Sequence, residues 1–232
     1  MLKYVIILVG CGATGSNIAA FLSQLAISQK NIKEIILIDG DLVEEKNFRN
    51  QKFTSKDIGK YKSHVLANRY SKLGINVSYV DRYINNADDL INIIKHKADE
   101  CTRVLLVGSV DNNEARRYMN STFYSEDIPE LIYIDTGNGD KDRVGQTVAG
   151  AKVNNKIITP PVAEYYPQIL EEEKVEEKVE DYRCSQIEEH PQNFATNVLS
   201  ATTTFLMINN IVSLGKVGCK FARFNADQIK IR

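Results

Sequence analysis

Apolar residues come along this chain in short blocks separated by longer stretches with helical spacing. Residues 4–9 (YVIILV), 33–39 (KEIILID), 103–108 (RVLLVG) and 131–135 (LIYID) are near-continuous apolar runs. Runs of that length, unbroken by alternation, predict strands buried on both faces, as in the middle of a parallel sheet. Residues 76–81 (NVSYVD) alternate instead and predict a further strand. Helical patterns fill the gaps: Ala13 to about Gln29, Lys60 to about Leu73, Ala87 to Lys97, and a helix capped by Asp111 or Asn112 that reaches about Phe123. Gly74 stands where a helix C-cap is expected.

Strand and helix in alternation predict an α/β fold, a Rossmann-like doubly wound, mainly parallel sheet with helices on both faces. The pattern then changes. Residues 144–153 and 156–159 predict a hairpin turning at Asn154-Asn155. Residues 160–192 hold four of the five prolines and the acidic run EEEKVEEKVE, and predict a crossover loop. A long helix over Asn193–Leu214 and two short strands, 219–224 and 228–231, complete the pattern. Residues 1–140 therefore read as a core and residues 141–232 as a C-terminal extension, within a single domain over 1–232.

Composition narrows the function. Hydrophobic residues make up 43% of 232 and charged residues 25%, the balance of an ordinary globular protein. The net charge of −1 gives no global attraction to nucleic acid or anionic lipid, and the 11 tyrosines are dispersed rather than arrayed for base stacking. Cys11, Cys101, Cys184 and Cys219 are far apart with no C-x-x-C, which argues against a zinc knuckle and suits a reducing, cytoplasmic setting. Cys101 and Cys219 border predicted strands and read as structural. The run at 4–9 is too short for a signal peptide or membrane helix. The helix at 193–214 carries Asn197, Asn209 and Asn210 and reads as a buried or interface helix, so no membrane association is expected.

The chemistry starts at Gly10-Cys11-Gly12-Ala13-Thr14-Gly15, a G-x-G-x-x-G between strand and helix. Gly10 permits the tight turn, Gly12 lets backbone approach phosphate, and Gly15 lets the helix pack on the sheet. The helix N-terminus supplies unpaired N–H groups and a positive dipole end. Asp39, ending the second strand, can accept from ribose hydroxyls. These features imply a nucleotide and leave open whether it is a dinucleotide or ATP. The next segment, DGDLVEEKNFRNQKFTSKDIGKYK over 39–62, is too polar and too cationic for an ordinary dehydrogenase, which disfavours an NAD-dependent oxidoreductase.

That segment resembles the pattern D-x-D-x-V-x-x-x-N-L-x-R-Q, followed by G-x-x-K, of the ThiF and ubiquitin-activating-enzyme family. Asp39, Asp41, Val43, Asn47 and Gln51 match it, as do Gly59 and Lys62. After the fourth strand, Gly108-Ser109-Val110-Asp111-Asn112 with Arg116 is similar to the family's C-T-D-N-x-x-x-R. Gly145-Gln146-Thr147 is a weaker match to its G-Q-V. The resemblance covers about residues 4–150. It implies ATP-dependent adenylation of a carboxylate, with the C-terminus of a ubiquitin-like or sulfur-carrier protein as substrate and a homodimer as the assembly. It implies nucleotide contacts at Gly10, Gly12, Gly15, Asp39, Asp41, Asn47, Asn50, Gln51 and Lys62, Mg²⁺ at Asp111, and charge stabilisation by Lys62 and arginine. Relatives that carry structural zinc hold it on two C-x-x-C pairs, so none is expected here. A small or RNA-linked carboxylate is the alternative substrate, and a non-catalytic nucleotide-binding subunit the alternative role.

Two departures matter. The family's arginine falls on Asn50, with Arg49 one place earlier, so either Arg49 replaces it through a local shift or a phosphate contact is lost. The chain also begins at the first strand, without the N-terminal arginine-bearing helix of many relatives. Cys184, after the crossover, is a candidate thiol for a thioester, with an incidental thiol as the plainer reading.

Overall fold

The structure is a computed structural model and describes residues 2–139, 143–171, 193–227 and 230–231. Five parallel strands form its core: β1 Lys3–Val9, β2 Ile32–Ile38, β3 Val77–Val80, β4 Thr102–Gly108 and β5 Leu131–Asn138. The helices between them are α1 Ala13–Ser28, α2 Lys62–Ser71, α3 Ala87–Lys97 and α4 Asn113–Tyr124. Beyond β5 come the antiparallel strands β6 Val144–Val153, β7 Lys156–Thr159, β8 Phe221–Asn225 and β9 Lys230–Ile231. One nine-stranded sheet runs β3-β2-β1-β4-β5-β6-β8-β9, with β7 on β6. A one-turn helix, α5 Val162–Tyr165, and the long α6 Phe194–Leu214 complete the described α-helices, and 3-10 turns occupy Glu45–Arg49, Ser55–Asp57 and Pro167–Leu170.

The unbroken apolar runs have a direct cause. Along β1, Tyr4, Ile6 and Leu8 enter one core with α1, α2 and α6, while Val5, Ile7 and Val9 enter a second core with α3 and α4. The same division holds in β2, where Ile35 and Leu37 face the first core and Ile36 and Ile38 the second, and in β4, with Leu105 and Val107 against Val104 and Leu106. Successive side chains leave a strand on opposite faces, so both must be apolar when both faces are covered.

The helix ends follow local chemistry. Asn112 caps α4 by accepting from Ala115 N at 2.8 Å, and Asn193 caps α6 by accepting from Ala195 N at 2.9 Å. Gly215 ends α6 in the left-handed region at φ 70°. The β6–β7 turn places Asn154 and Asn155 at φ 50° and 59°, as a tight hairpin requires. The strand order reverses at β1, between β2 and β4, and the crevice outside the carboxyl ends of those strands is where such sheets bind ligands. No described helix is long and apolar enough to cross a membrane.

Candidate functional site

A cleft of about 1390 Å³ opens at that crevice. Its floor is the Gly-rich turn. Gly10 is at φ +90°, and a Cβ there would meet Ser109 O at 2.5 Å. A Cβ on Gly15 would fall 1.9 Å from Gly10 O, so α1 reaches the turn only because Gly15 has no side chain. Gly12 has the opposite environment: a Cβ would meet nothing within 4 Å, leaving its backbone open to the cleft at the head of α1.

Asp39 closes the turn from the β2 side. Its Oδ2 accepts from Cys11 N at 2.6 Å and its Oδ1 from Asp41 N at 2.7 Å. Burial pushes this carboxyl above its usual range, against those two hydrogen bonds and the Lys62 charge. Each carboxylate oxygen can accept more than one bond, so Asp39 can both brace the turn and receive a hydroxyl. Cys11 is fully buried, and burial, reinforced by Asp39, pushes its thiol far up. A thiol kept neutral in this way packs and does not react.

The wall is the segment after β2. Glu45–Arg49 forms a 3-10 turn, in which the buried Asn47 accepts from Glu44 N at 2.8 Å through Oδ1. Asn47 is thus engaged in shaping the wall that it lines. The chain breaks from the turn at Asn50, at φ −143° and ψ 4°, and both Arg49 and Asn50 line the cleft. Among the described residues Arg49 makes no ion pair. Gln51 lines the same wall with its Oε1 buried and unpartnered. Lys62, the first residue of α2, is 7% exposed at its side chain, and its Nζ donates to Asp41 Oδ2 at 2.7 Å. Desolvation pushes Asp41 up, but bonds from Lys62 and from the Tyr83 hydroxyl outweigh it and hold the carboxyl below its usual range.

The far side is the turn after β4. Asp111 is exposed on the cleft and makes no hydrogen bond or ion pair with the described residues. Arg116 ties this turn down from below. Its Nη2 donates to Val110 O at 2.7 Å, and its Nε lies 3.4 Å from Oδ1 of the buried Asp135. Burial pushes Asp135 up, while Arg116 and the Tyr133 hydroxyl, at 3.1 Å, pull it down without cancelling the effect. Gly145 and Gln146 lie on β6, where Gly145 packs under Phe224 and Gln146 beside Gly137.

Gly10, Gly12, Asp39, Asp41, Asn47, Arg49, Asn50, Gln51, Lys62 and Asp111 therefore share one cleft, with Gly15 packed directly beneath. Cys184 lies outside the described residues. Cys101 and Cys219 are exposed, so the reading of both as structural thiols does not extend to packing in the core: each sits just before its strand, and Cys219 Sγ donates to Phe221 O at 3.5 Å. The sequence reading missed Tyr83 and Asn138, which also line the cleft. Both lie at the carboxyl ends of parallel strands, and that position was the available signal. Asn138 Nδ2 and Thr14 Oγ1 both donate to the buried Asn197 Oδ1, at 2.9 and 3.3 Å, which joins β5 and α1 to α6.

Comparison with known proteins agrees with this architecture. Human ubiquitin-like modifier-activating enzyme 6 is 28% identical over 163 residues, covering 69% of this chain and 14% of that protein. The crystal structure of E. coli MccB with ATP superposes with a TM-score of 0.66 at 22% identity, over 98% of this chain and 62% of MccB. MccB with AMPCPP and MccA gives a TM-score of 0.66 at 23% identity. At such identity these structures speak for the fold, and the chain spans only part of each relative. The model of the ThiF family matches residues 1–223. Aligned from the first strand to the eighth, through every wall of the cleft, the chain belongs to the ThiF family.

Proposed function

We propose that this protein adenylates a carboxylate with ATP and releases pyrophosphate, and that the substrate is the C-terminus of a ubiquitin-like or sulfur-carrier protein. The observation that carries the reading is the shared cleft: an open backbone at Gly12, the cations Lys62 and Arg49, and the carboxylate of Asp111 on one cavity. A ThiF relative named for activating ubiquitin-like modifiers and a structural neighbour solved with ATP support it.

ATP would lie with its phosphates over Gly12 and the N-terminus of α1. A substrate carboxylate oxygen attacks the α-phosphorus, the bond from that phosphorus to the bridging oxygen breaks, and pyrophosphate departs with the electron pair. An acyl-adenylate remains. Lys62 and Arg49 offset the charge that accumulates on the leaving phosphates. Among the described residues no cluster of three metal-ligating side chains occurs. The free carboxylate of Asp111 fits Mg²⁺, which favours one or two carboxylates with phosphate oxygens and water, and which would supply charge neutralisation at the triphosphate. The same reading takes the protein as a cytoplasmic homodimer, with Phe194 and Leu206 on α6 and Ile27 on α1 as exposed apolar side chains for a second copy to cover.

The direct test is ATP–pyrophosphate exchange with candidate carrier proteins, alongside thermal melting. Saturating MgATP should stabilise the protein by about 2.7 kcal/mol at a hundredfold excess over its dissociation constant. NAD should give far less. Stabilisation by NAD alone would remove the adenylation reading.

Arg49 has its own expected result. Its side chain is exposed, so its contribution is smaller than that of a buried cation. Arg49→Ala should lower kcat/KM for ATP about tenfold to thirtyfold, roughly 1.4–2 kcal/mol in barrier, and Asn50→Ala should matter less. If Arg49→Ala is silent while Asn50→Arg raises the rate, the compensating shift is absent and the site is weakened at this position.

A further inference from the structure

The loop between β3 and α3 lines the cleft, to which it contributes Tyr83. Tyr83 is 60% exposed, yet it is seated tightly on one side. A Cβ added to Gly40 would come within 2.8 Å of Tyr83 N and 2.9 Å of its Cγ and Cδ2. Gly40 is not among the glycines with positive φ, so no turn conformation demands a glycine there. The space taken by Tyr83 does.

This seat brings the Tyr83 hydroxyl onto Asp41 Oδ1, while Asp41 Oδ2 accepts from Lys62 Nζ at 2.7 Å. Asp41 is 48% exposed at its side chain, and a half-exposed carboxylate held by one partner can rotate away. Held at both oxygens, it fixes one of the three N–H bonds of Lys62 and leaves the others for a ligand. We propose that Tyr83 is a positioning residue: by clamping Asp41 it aims the Lys62 ammonium at the nucleotide phosphates, and Gly40 is glycine to admit it. The aim at phosphate rests on the ATP reading above; the clamp does not.

The charged and titratable groups facing Asp41 are Lys62 on α2, Lys46 in the 3-10 turn and Tyr83. Asp39 also faces it, from the end of β2. The hydrogen bond to Asp41 pushes the Tyr83 phenol up to about 12, so it stays a donor throughout the working range. Removing that donor takes away one of the two bonds that hold the Asp41 carboxyl down. Asp41 should then protonate at higher pH and release Lys62 sooner on acidification.

The experiment compares wild type, Tyr83→Phe and Gly40→Ala by carboxyl-carbon NMR titration of Asp41, assigned with Asp41→Asn, and by calorimetric MgATP binding from pH 4.5 to 8. In Tyr83→Phe the Asp41 midpoint should rise, MgATP should bind about fivefold to tenfold more weakly at neutral pH, and the acid limb of binding should move upward. Gly40→Ala keeps the phenol but displaces it, and should reproduce all three effects. An unchanged Asp41 midpoint in Tyr83→Phe overturns the clamp. A raised midpoint with unchanged MgATP binding overturns the aiming role. Wild type that ignores MgATP while the Asp41 midpoint still rises overturns the nucleotide reading and leaves the clamp standing.

Discussion

Asp111→Ala should reduce ATP–pyrophosphate exchange by about a hundredfold to a thousandfold, roughly 2.7–4 kcal/mol, the scale on which a preorganised charge-stabilising group acts. The melting temperature should stay close to that of wild type. Both halves follow from placement. Asp111 is exposed at the carboxyl end of β4 and bonds to no other described residue, so its loss leaves no buried partner stranded. Its proposed task, holding Mg²⁺ against a triphosphate, exists only with nucleotide bound. Addition of Mg²⁺ should rescue Asp111→Glu in part and Asp111→Ala hardly at all. Near-normal exchange by Asp111→Ala would take the residue out of the mechanism.

Arg116→Ala should do something different: destabilise the protein by about 3–5 kcal/mol, the cost of leaving a buried charge without its partner. Asp135 is 1% exposed, and its carboxylate faces the Arg116 guanidinium at 3.4 Å. For a chain of this size that corresponds to a fall in Tm of roughly 6–20 °C. Asp135→Asn in the same chain should restore much of the loss, because the uncompensated charge is then gone. The pH dependence has a definite sign. Burial holds the folded carboxyl of Asp135 above its unfolded value. The cost of its charged form is therefore fully present above the folded pKa, and it vanishes as pH falls towards the unfolded one. Acidification should narrow the gap between Arg116→Ala and wild type. Because Arg116 also donates to Val110 O, the variant should lose exchange activity as well, through a loosened 109–112 turn. A variant as stable as wild type at neutral pH would show that Asp135 does not depend on this pair.

What the sequence made legible was periodic or local. Two-sided burial of β1, β2 and β4 was written in their unbroken apolar runs, and the Asn154-Asn155 turn in two residues tolerant of positive φ. The Gly-rich turn and the 39–62 segment could be read because their spacing is fixed by contiguous backbone. What escaped depends on contacts between distant segments. Nothing near Tyr83 in sequence announces Asp41, since the two meet only because β3 lies beside β2. Asp135 drew no attention in the sequence, because its pairing with Arg116 exists only once β5 and α4 pack together. The exposure of Cys101 and Cys219 was hidden for a similar reason: bordering a strand does not reveal which side the thiol takes. The Arg49/Asn50 question could not be answered from spacing, because a 3-10 turn that breaks at Asn50 leaves both residues lining one cleft.

The way the sheet stops has a consequence for handling the protein. At one edge its path ends in β3, four residues long, while β7 is a four-residue spur that begins at Lys156 and runs into Pro160-Pro161. Unpaired strand edges recruit other chains only when enough N–H and C=O groups stand free in a row, and a lysine or proline at the edge spoils the template. The exposed Ile157 and Ile158 of β7 would otherwise be an aggregation hazard. Their confinement to a short, proline-stopped strand limits how far that edge could pair with another chain.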